Sequence, residues 1–264
     1  MLSPESTASL RSRTRAHYDQ YPFGFDQEEI LEEKLQHRVM GDAIRGLQRR
    51  TALVMDVGCG ACRVARLVRR TSGATTINVD LSMGTLRDAR RRHDPGPLVN
   101  GDNLQLPFRD GCADLVISNG VIHCTPNPRA SFLELARMVK PGGTLVVSVY
   151  DRRSWYYYTF RYAGALVRGL RALIGDRGLK VTIFPFFHVG VNVLLPLATR
   201  RMLFLPVETS WNLFHDQFTT PVQSFHTFEE LTGWADEARL VCEGRRREAA
   251  HQLATLRLRR PQTA

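Results

Sequence analysis

The sequence has little lysine, few cysteines and few apolar residues in its first fifteen positions. Three of its 36 basic residues are lysines, so arginine carries almost all of a net charge of +10. The five cysteines are odd in number and irregularly spaced, which predicts reduced thiols in a cytoplasmic protein. Residues 1–15 are polar and lack the apolar core of a signal peptide, so we expect no secretion signal.

The segment 181–198 contains no Asp, Glu, Lys or Arg and is long enough to raise the question of a membrane span. Two prolines, a glycine, an asparagine and a histidine interrupt it, and these residues argue against a span. We expect either a lid over an apolar pocket or a helix at a membrane surface, so peripheral membrane contact stays open.

The pair Cys59 and Cys62 has the C-x-x-C spacing of some metal and redox sites. A zinc site needs two further ligands, and none follows at a zinc-like spacing, so we expect no metal. The arginines are typical of solvated helix faces, because many alternate with apolar residues in helical periodicity. Nucleic-acid binding is the less favoured explanation of the charge, since no recognisable nucleic-acid motif accompanies it.

Strands and helices alternate between residues 53 and 150. Strands are predicted over 53–57, 75–81, 98–101, 114–118 and 144–150, and helices over 62–72, 83–93 and 128–139. This alternation predicts a mostly parallel sheet with helices on both faces. Residues 1–50 have a mostly helical pattern, broken at Tyr21-Pro22-Phe23-Gly24. Near the end, a capping box at Thr227 begins a helix to residue 238, and strands are predicted over 240–246 and 253–258.

The first strand ends abruptly in Gly58-Cys59-Gly60. Glycines at the carboxyl end of a parallel strand let the backbone approach a ligand, and the next helix offers free N–H groups to an anion. Asp80 ends the following strand, where a carboxylate can accept hydrogen bonds from two ribose hydroxyls. A dinucleotide site requires a third glycine where this chain has Arg63, which favours S-adenosylmethionine over a dinucleotide.

Four segments, in order, resemble the class I S-adenosylmethionine-dependent methyltransferases. They are LVMDVGCGACRVARLV, VDLSMGTLRDAR, GDNLQLPFRDGCADLVISNGVIH and LARMVKPGGTLVVSV, and the final helix and strand pair are similar as well. The resemblance implies an α/β, Rossmann-like fold whose seven-stranded, mostly parallel sheet ends in an antiparallel hairpin. It implies a helical cap (1–50), a donor-binding core (51–150), an aromatic and apolar lid insert (151–226) and a C-terminal helix and strand pair (227–264).

The resemblance also implies a methyltransferase that uses S-adenosylmethionine, with site residues at matched positions. The methionine end of the donor would contact Asp56, Gly58, Cys59 and Gly60, and its ribose would contact Asp80. The adenine would contact Leu81, Asp102 and Asn103, and the sulfonium would lie beside Asn119. The family usually has a glycine where Cys62 stands, and this departure bears on cofactor affinity.

Methyl transfer needs a base only when the acceptor arrives protonated. His123, just past the fourth strand, is the candidate base, although it can equally shape the pocket. Tyr18 lies in HYDQYPF, which resembles the N-terminal caps of small-molecule methyltransferases. It would touch the donor's carboxylate or face its sulfonium, unless it only packs the cap.

The aromatic residues of the insert predict an apolar wall around a small or lipophilic acceptor, a metabolite of specialised metabolism. The wall would consist of Trp155, Tyr156, Tyr157, Tyr158, Phe160, Phe184, Phe186 and Phe187. Two alternatives remain. The segment LPFRDGCADLVISNGVIH also resembles wobble-uridine tRNA methyltransferases, and the positive charge suits RNA. The second alternative is a non-catalytic scaffold with a methyltransferase fold, and the departure at Cys62 is the one sequence feature that favours it.

Overall fold

A computed structural model describes residues 4–22, 38–47, 51–92, 94–199, 204–248 and 252–262. The predicted break at Tyr21-Pro22 follows the end of the first helix, whereas Phe23 and Gly24 lie outside the described residues. Much of the predicted N-terminal cap, including residues 25–37, lies outside them too.

The strands and helices of the described residues have the following bounds. The strands are β1 (Leu53–Val57), β2 (Thr75–Asp80), β3 (Leu98–Asn100), β4 (Ala113–Asn119), β5 (Val139–Tyr150), β6 (Val241–Glu248) and β7 (Leu253–Arg259). The helices are α1 (Pro4–Gln20), α2 (Arg38–Arg45), α3 (Arg63–Thr71), α4 (Met83–Arg92), α5 (Pro128–Met138), α6 (Trp155–Tyr158), α7 (Gly164–Thr182), α8 (Phe184–Thr199), α9 (Val207–Phe218) and α10 (Phe228–Glu237). A 3₁₀ turn covers Ile122–Cys124, and a π-helical turn covers Thr159–Ala163.

These strands form one seven-stranded sheet in the order β3-β2-β1-β4-β5-β7-β6. Strands β1 to β5 pair in parallel, and β7 pairs antiparallel with both β5 and β6. The predicted fold class is therefore confirmed. Strand β5 differs from the prediction, because it begins at Val139, directly after α5, rather than at Thr144.

Helices cover both faces of the sheet. Successive side chains of β1 point to opposite faces, so its apolar residues need a packing partner on each side. Val54 packs on one side with residues of α2 and α3, including Ile44 and Leu67. Met55 packs on the other side with residues of α5 and α10, including Phe132. A strand that is buried on both faces reads as an unbroken apolar run, which is the pattern of LVMDV up to its aspartate.

Two helix starts predicted from sequence are confirmed by their caps. The side chain of Asn127 accepts a hydrogen bond from the backbone N–H of Ala130, with Pro128 at the first helical position. At α10, Thr227 and Glu230 form the reciprocal bonds of a capping box.

The insert between β5 and α10 is helical and has an apolar core of its own. Helices α7, α8 and α9 bury Val167, Leu179, Phe184 and Phe214 between them. We call these three helices the lid. None of the described helices is long and apolar enough to cross a membrane.

Candidate active site

A deep cavity lies where the strand order reverses, between β1 and β4. Loops that follow neighbouring parallel strands diverge at such a point and leave a crevice at the carboxyl ends of the strands. The turn after β1 and the segment after β4 both line this cavity, whose volume is about 530 Å³. The same sheet edge therefore holds the residues that the sequence motifs singled out.

The glycine turn after β1 is held by its own backbone. The N–H groups of Gly58 and Cys59 both donate to the carbonyl of Val79, over 2.8 and 2.9 Å. Gly58 has a φ of +78°, and a Cβ there would lie 2.4 Å from the side chain of Val121. Both the backbone angle and the contact exclude other residues, so the turn packs directly against the loop after β4.

Asp80 organises this turn as well as facing the cavity. Its Oδ2 accepts a hydrogen bond from the Gly60 N–H at 3.0 Å, and its Oδ1 accepts one from the Ser82 N–H at 2.9 Å. Burial raises the pKa of Asp80, and the backbone bonds oppose that rise. Each carboxylate oxygen can accept more than one bond, so the side chain retains capacity for a ligand.

Cys62 occupies the position where the resemblance implies glycine. Its φ of 54° and ψ of 38° place it in the left-handed region that favours glycine. The side chain is fully buried, and its Sγ lies 3.6 Å from that of Cys59. Cys62 therefore has a left-handed backbone conformation that strains any residue other than glycine. Its thiol adds to the packing beneath the turn.

Asp102 and Asn103 line another part of the cavity. Asp102 forms an ion pair with Arg11 of α1 and accepts a hydrogen bond from the Leu104 N–H at 2.8 Å. Asn103 is buried, and its side-chain Nδ2 has no hydrogen-bond partner among the described residues. A buried donor without a partner is costly, so this amide is poised for an acceptor atom of a ligand.

Helix α1 contributes Tyr18 to the cavity, and lid helix α9 contributes Asp216. The Tyr18 hydroxyl donates to Oδ1 of Asp216 at 3.2 Å, and the Gln217 amide donates to Oδ2 at 2.9 Å. Burial raises the pKa of Asp216 to about 6, although both hydrogen bonds lower it. The cavity therefore contains a carboxylate that changes its charge just below neutral pH.

The structure brings together ten of the eleven site residues predicted from sequence. Those lining the cavity are Tyr18, Asp56, Gly58, Cys59, Gly60, Asp80, Leu81, Asp102, Asn103 and Asn119. Helix α1 adds Arg11 and Thr14, and the lid adds Phe187, Val191, Leu213, Asp216 and Gln217. The cavity thus has a polar half on the sheet edge and a largely apolar half beneath the lid.

The side chain of His123 lies outside the cavity, and this position argues against its predicted role as base. Among the described residues it is not part of the cavity lining, and its ring packs behind Tyr150, with centroids 4.1 Å apart. Its Nδ1 accepts a hydrogen bond from the Tyr150 N–H at 3.3 Å. Burial lowers its pKa to about 3, which leaves a weak base without access to the cavity.

The aromatic wall predicted from sequence differs from the lining of the cavity in the structure. Of the eight aromatic residues named from sequence, Phe187 lines the cavity. Tyr156 and Phe184 are buried in the packing of the insert, whereas Phe186 is 80% exposed. The sequence predicted aromatic content but not the rotation of each helix, and that rotation decides which ring meets the cavity.

Sequence reasoning missed Asp216, although a signal was present. Between residues 152 and 226 there are three acidic residues, Asp176, Glu208 and Asp216. Asp176 forms an ion pair with Arg171 and accepts a hydrogen bond from the Tyr21 hydroxyl. An acid within the aromatic run WNLFHDQF is a candidate functional group, because a carboxylate is seldom enclosed among apolar side chains without a role.

Comparison with known proteins gives consistent matches. A family model described as "Methyltransferase domain" matches residues 55–147. A demethylmenaquinone methyltransferase of Streptomyces griseus is 25% identical over 167 residues, which are 63% of this chain and 70% of that protein. A malonyl-[acyl-carrier protein] O-methyltransferase of Enterobacter lignolyticus is 28% identical over 201 residues, 70% of this chain and 75% of that protein. Three other demethylmenaquinone methyltransferases match over half of their length or less.

A solved structure has a similar fold along almost the whole chain. Geranyl diphosphate C-methyltransferase of Streptomyces coelicolor, in complex with S-adenosyl-L-homocysteine, matches with a TM-score of 0.58. The match covers 98% of this chain and 100% of that chain at 13% identity. At this identity the likeness shows a common fold.

Proposed function

Because the chain belongs to the class I S-adenosylmethionine-dependent methyltransferases, we propose that it methylates a small molecule with an apolar body and a hydroxyl group. Asp216 is the general base in this proposal. S-adenosylmethionine is the methyl donor and supplies an electrophilic methyl group when bound. The observation that carries the proposal is the division of one cavity into a polar half and an apolar half, with the half-buried carboxylate of Asp216 in the apolar half.

The polar half fits the donor. The turn of Gly58 and Gly60 leaves room for the amino-acid end, since side chains there are excluded by the backbone angles. Asp80 retains acceptor capacity for ribose hydroxyls, and the unpartnered amide of Asn103 suits an acceptor nitrogen of the adenine. These residues therefore match the hydrogen-bonding needs of an adenosine with a charged tail.

The apolar half fits the acceptor. Phe187, Val191 and Leu213 of the lid present apolar side chains to the cavity. A pocket of this kind takes its affinity from apolar contact and its orientation from a few polar groups. Asp216 and Gln217 are the polar groups that the lid contributes to the cavity. Asp216 lies beside Tyr18, so a hydroxyl of the acceptor would be directed toward this carboxylate.

The properties of Asp216 suit a base at neutral pH. With a pKa of about 6, most of the carboxylate is ionised at pH 7 and above. It is also a stronger base than an ordinary aspartate, because its protonated form is favoured by burial. Tyr18 and Gln217 hold one carboxylate oxygen each, which fixes the orientation of the group that takes the acceptor's proton.

The test is transfer of isotope-labelled methyl from S-adenosylmethionine to a panel of acceptors. The panel consists of hydroxyaromatic compounds of graded size, and demethylmenaquinone, a quinone without a hydroxyl group that is named by the relatives, serves as the contrast. We expect labelled product with the wild-type chain and a loss of about 100-fold or more in Asp216→Asn, as is typical of a missing general base. Asp176→Asn is the matched control, since Asp176 belongs to the lid but pairs with Arg171 and Tyr21 outside the cavity lining.

A measurement of donor binding distinguishes a variant that has lost only the base from a variant that has lost its fold. Calorimetry with S-adenosylhomocysteine should give the same affinity for the wild-type chain and for Asp216→Asn. Equal turnover in the wild-type chain and the Asp216→Asn variant would overturn the role of this carboxylate. Failure of every hydroxylated acceptor, together with methylation of an aliphatic amine or thiol, would overturn the proposed acceptor class.

A further inference from the structure

Helix α8 exposes an apolar face to solvent. Its sixteen residues, FPFFHVGVNVLLPLAT, include no Asp, Glu, Lys or Arg. Large apolar side chains recur at intervals of one to four residues and are 53–80% exposed, at Phe186, Val189, Val193, Leu194 and Leu197. A helix on a water-facing surface normally carries polar residues on that side, so this face has the composition of a contact surface.

The orientation of α8 is fixed by its opposite side. Phe187 and Val191 line the cavity, and Phe184 packs with Phe214 in the lid core. His188 accepts or donates a hydrogen bond to Ser210 of α9 over 2.8 Å. The inner positions are thus already occupied, and the five outward side chains, which we call the outer face, are left for a partner.

The helical segment that leads into α8 carries an excess of positive charge. Residues 161–199 contain five Arg or Lys and one acid, Asp176, which forms an ion pair with Arg171. Arg161, Arg177 and Lys180 of the preceding helical segment are exposed. Helix α7 adds exposed apolar side chains at Leu166, Leu173 and Val181. Apolar side chains beside an excess of arginine are the composition of a helix that binds a negatively charged lipid surface.

We propose that the lid docks the chain on an anionic lipid membrane through the outer face of α8. The apolar side chains enter the boundary between headgroups and acyl chains, while the exposed arginines and lysine contact the anionic headgroups. Contact is peripheral, since none of the described helices can span a membrane. The proposal rests on the outer face and its charge, and it does not depend on which acceptor the cavity takes.

Other occupants fit the surface less well. RNA binds through its phosphates, which would use the arginines but leave five large apolar side chains in water. Two copies that met at this face would bring their excess positive charges together, which opposes self-association. An anionic membrane satisfies both the apolar and the charged parts of the surface.

The experiment is flotation of the full chain with lipid vesicles. We expect binding to vesicles of equal parts phosphatidylcholine and phosphatidylglycerol, and little binding to phosphatidylcholine alone. The double variant Phe186→Ser/Leu194→Ser should weaken binding about tenfold or more, because it removes buried apolar area. Its matched control is Val241→Ser, which changes a large apolar residue of 56% exposure on β6.

A second pair of variants tests the electrostatic contribution to membrane binding. Arg161→Glu/Arg177→Glu should abolish the preference for the anionic vesicles, and Arg90→Glu/Arg91→Glu on α4 should retain it. Affinity for S-adenosylhomocysteine, measured by calorimetry, should stay unchanged in all four, which shows that each variant is folded.

Three results would overturn the proposal. One is a wild-type chain that binds neither vesicle. Another is equal loss of binding in Val241→Ser and in Phe186→Ser/Leu194→Ser. The third is a wild-type dimer in sedimentation that becomes a monomer in Phe186→Ser/Leu194→Ser without any vesicle binding, since the outer face would then join two copies of the chain.

Discussion

The Tyr18 hydroxyl donates a hydrogen bond to Oδ1 of Asp216 at 3.2 Å, across 198 positions of sequence. The bond joins α1 to lid helix α9 within the lining of the cavity. Helix α1 also contacts the core, because the Asp19 carboxylate accepts hydrogen bonds from the Ser82 hydroxyl and the Gly84 N–H. One helix therefore contacts both the sheet edge that would hold the donor and the lid residue proposed as base.

This bond leads to a prediction about the pH dependence of turnover. A base must be ionised, and burial holds the pKa of Asp216 at about 6, so kcat/KM should fall as pH decreases through about 6. The Tyr18 bond lowers this pKa. Tyr18→Phe should therefore raise it and move the acid limb to higher pH.

Tyr21→Phe is the control for that shift. Tyr21 belongs to the same N-terminal region, but its hydroxyl donates to Asp176 at 2.6 Å rather than to Asp216. Its removal should leave the acid limb where it is. Equal displacement of the limb in both variants would show that the tyrosines act on the fold, and not on the proposed base.

Replacement of Asp80 should weaken donor binding in two distinguishable ways. Asp80→Asn keeps an acceptor oxygen for one of the two backbone N–H groups, of Gly60 and Ser82, and removes the charge. We expect a loss of about 1.5–3 kcal/mol in the affinity for S-adenosylhomocysteine. Asp80→Ala also releases the glycine turn, so its loss should be larger. Calorimetry measures both, with Asp88→Asn on α4 as a control whose affinity should not change.

The glycines at 58 and 120 permit a comparison at equal backbone angle, since each has a φ of +78°. Alanine at position 120 would meet nothing within 4 Å, whereas alanine at 58 would collide with Val121. We expect Gly120→Ala to cost about 1–2 kcal/mol of unfolding free energy from backbone strain alone. Gly58→Ala should cost more and should also reduce donor affinity.

Chemical denaturation of the two variants provides this test, because the shift of the midpoint at constant slope reports the change in stability. Equal losses at the two positions would mean that the contact with Val121 relaxes freely. The glycine turn would then be less rigid than its backbone bonds to Val79 indicate.

Strain at Cys62 can be isolated by comparing two substitutions. Cys62→Gly and Cys62→Ala both remove the buried thiol, but alanine retains the strain of a φ of 54°. We expect the glycine variant to be the more stable of the two by about 1 kcal/mol, the reverse of the order at ordinary helical positions. Thermal unfolding ranks them. A more stable alanine variant would show that the left-handed conformation is not costly here.

The residues around the glycine turn could be predicted from sequence because their positions follow from local pattern. Gly58, Asp80 and Asn119 each lie at or just past the end of a predicted parallel strand. The ends of parallel strands share one edge of a sheet, so knowing the strands is enough to bring these residues together. The strand bounds themselves follow from buried apolar runs that glycine or polar residues interrupt.

The lid half of the cavity could not be predicted in this way. Asp216 reaches Tyr18 only through the docking of α9 against α1, and no periodicity within either helix encodes that contact. The placement of Phe186 outward and Phe187 inward depends on the rotation of α8 about its axis. His123 shows the same limit, because its motif position is at the sheet edge while its ring turns behind Tyr150.

A crystal structure of the chain with S-adenosylhomocysteine tests the central claim most directly. We expect the ribose within hydrogen-bonding distance of Asp80, the amino-acid end against Gly58 and Gly60, and the sulfur directed toward the lid half that contains Asp216. A ligand whose ribose lies away from Asp80, or whose sulfur faces away from Asp216, would contradict the division of the cavity into a donor half and an acceptor half.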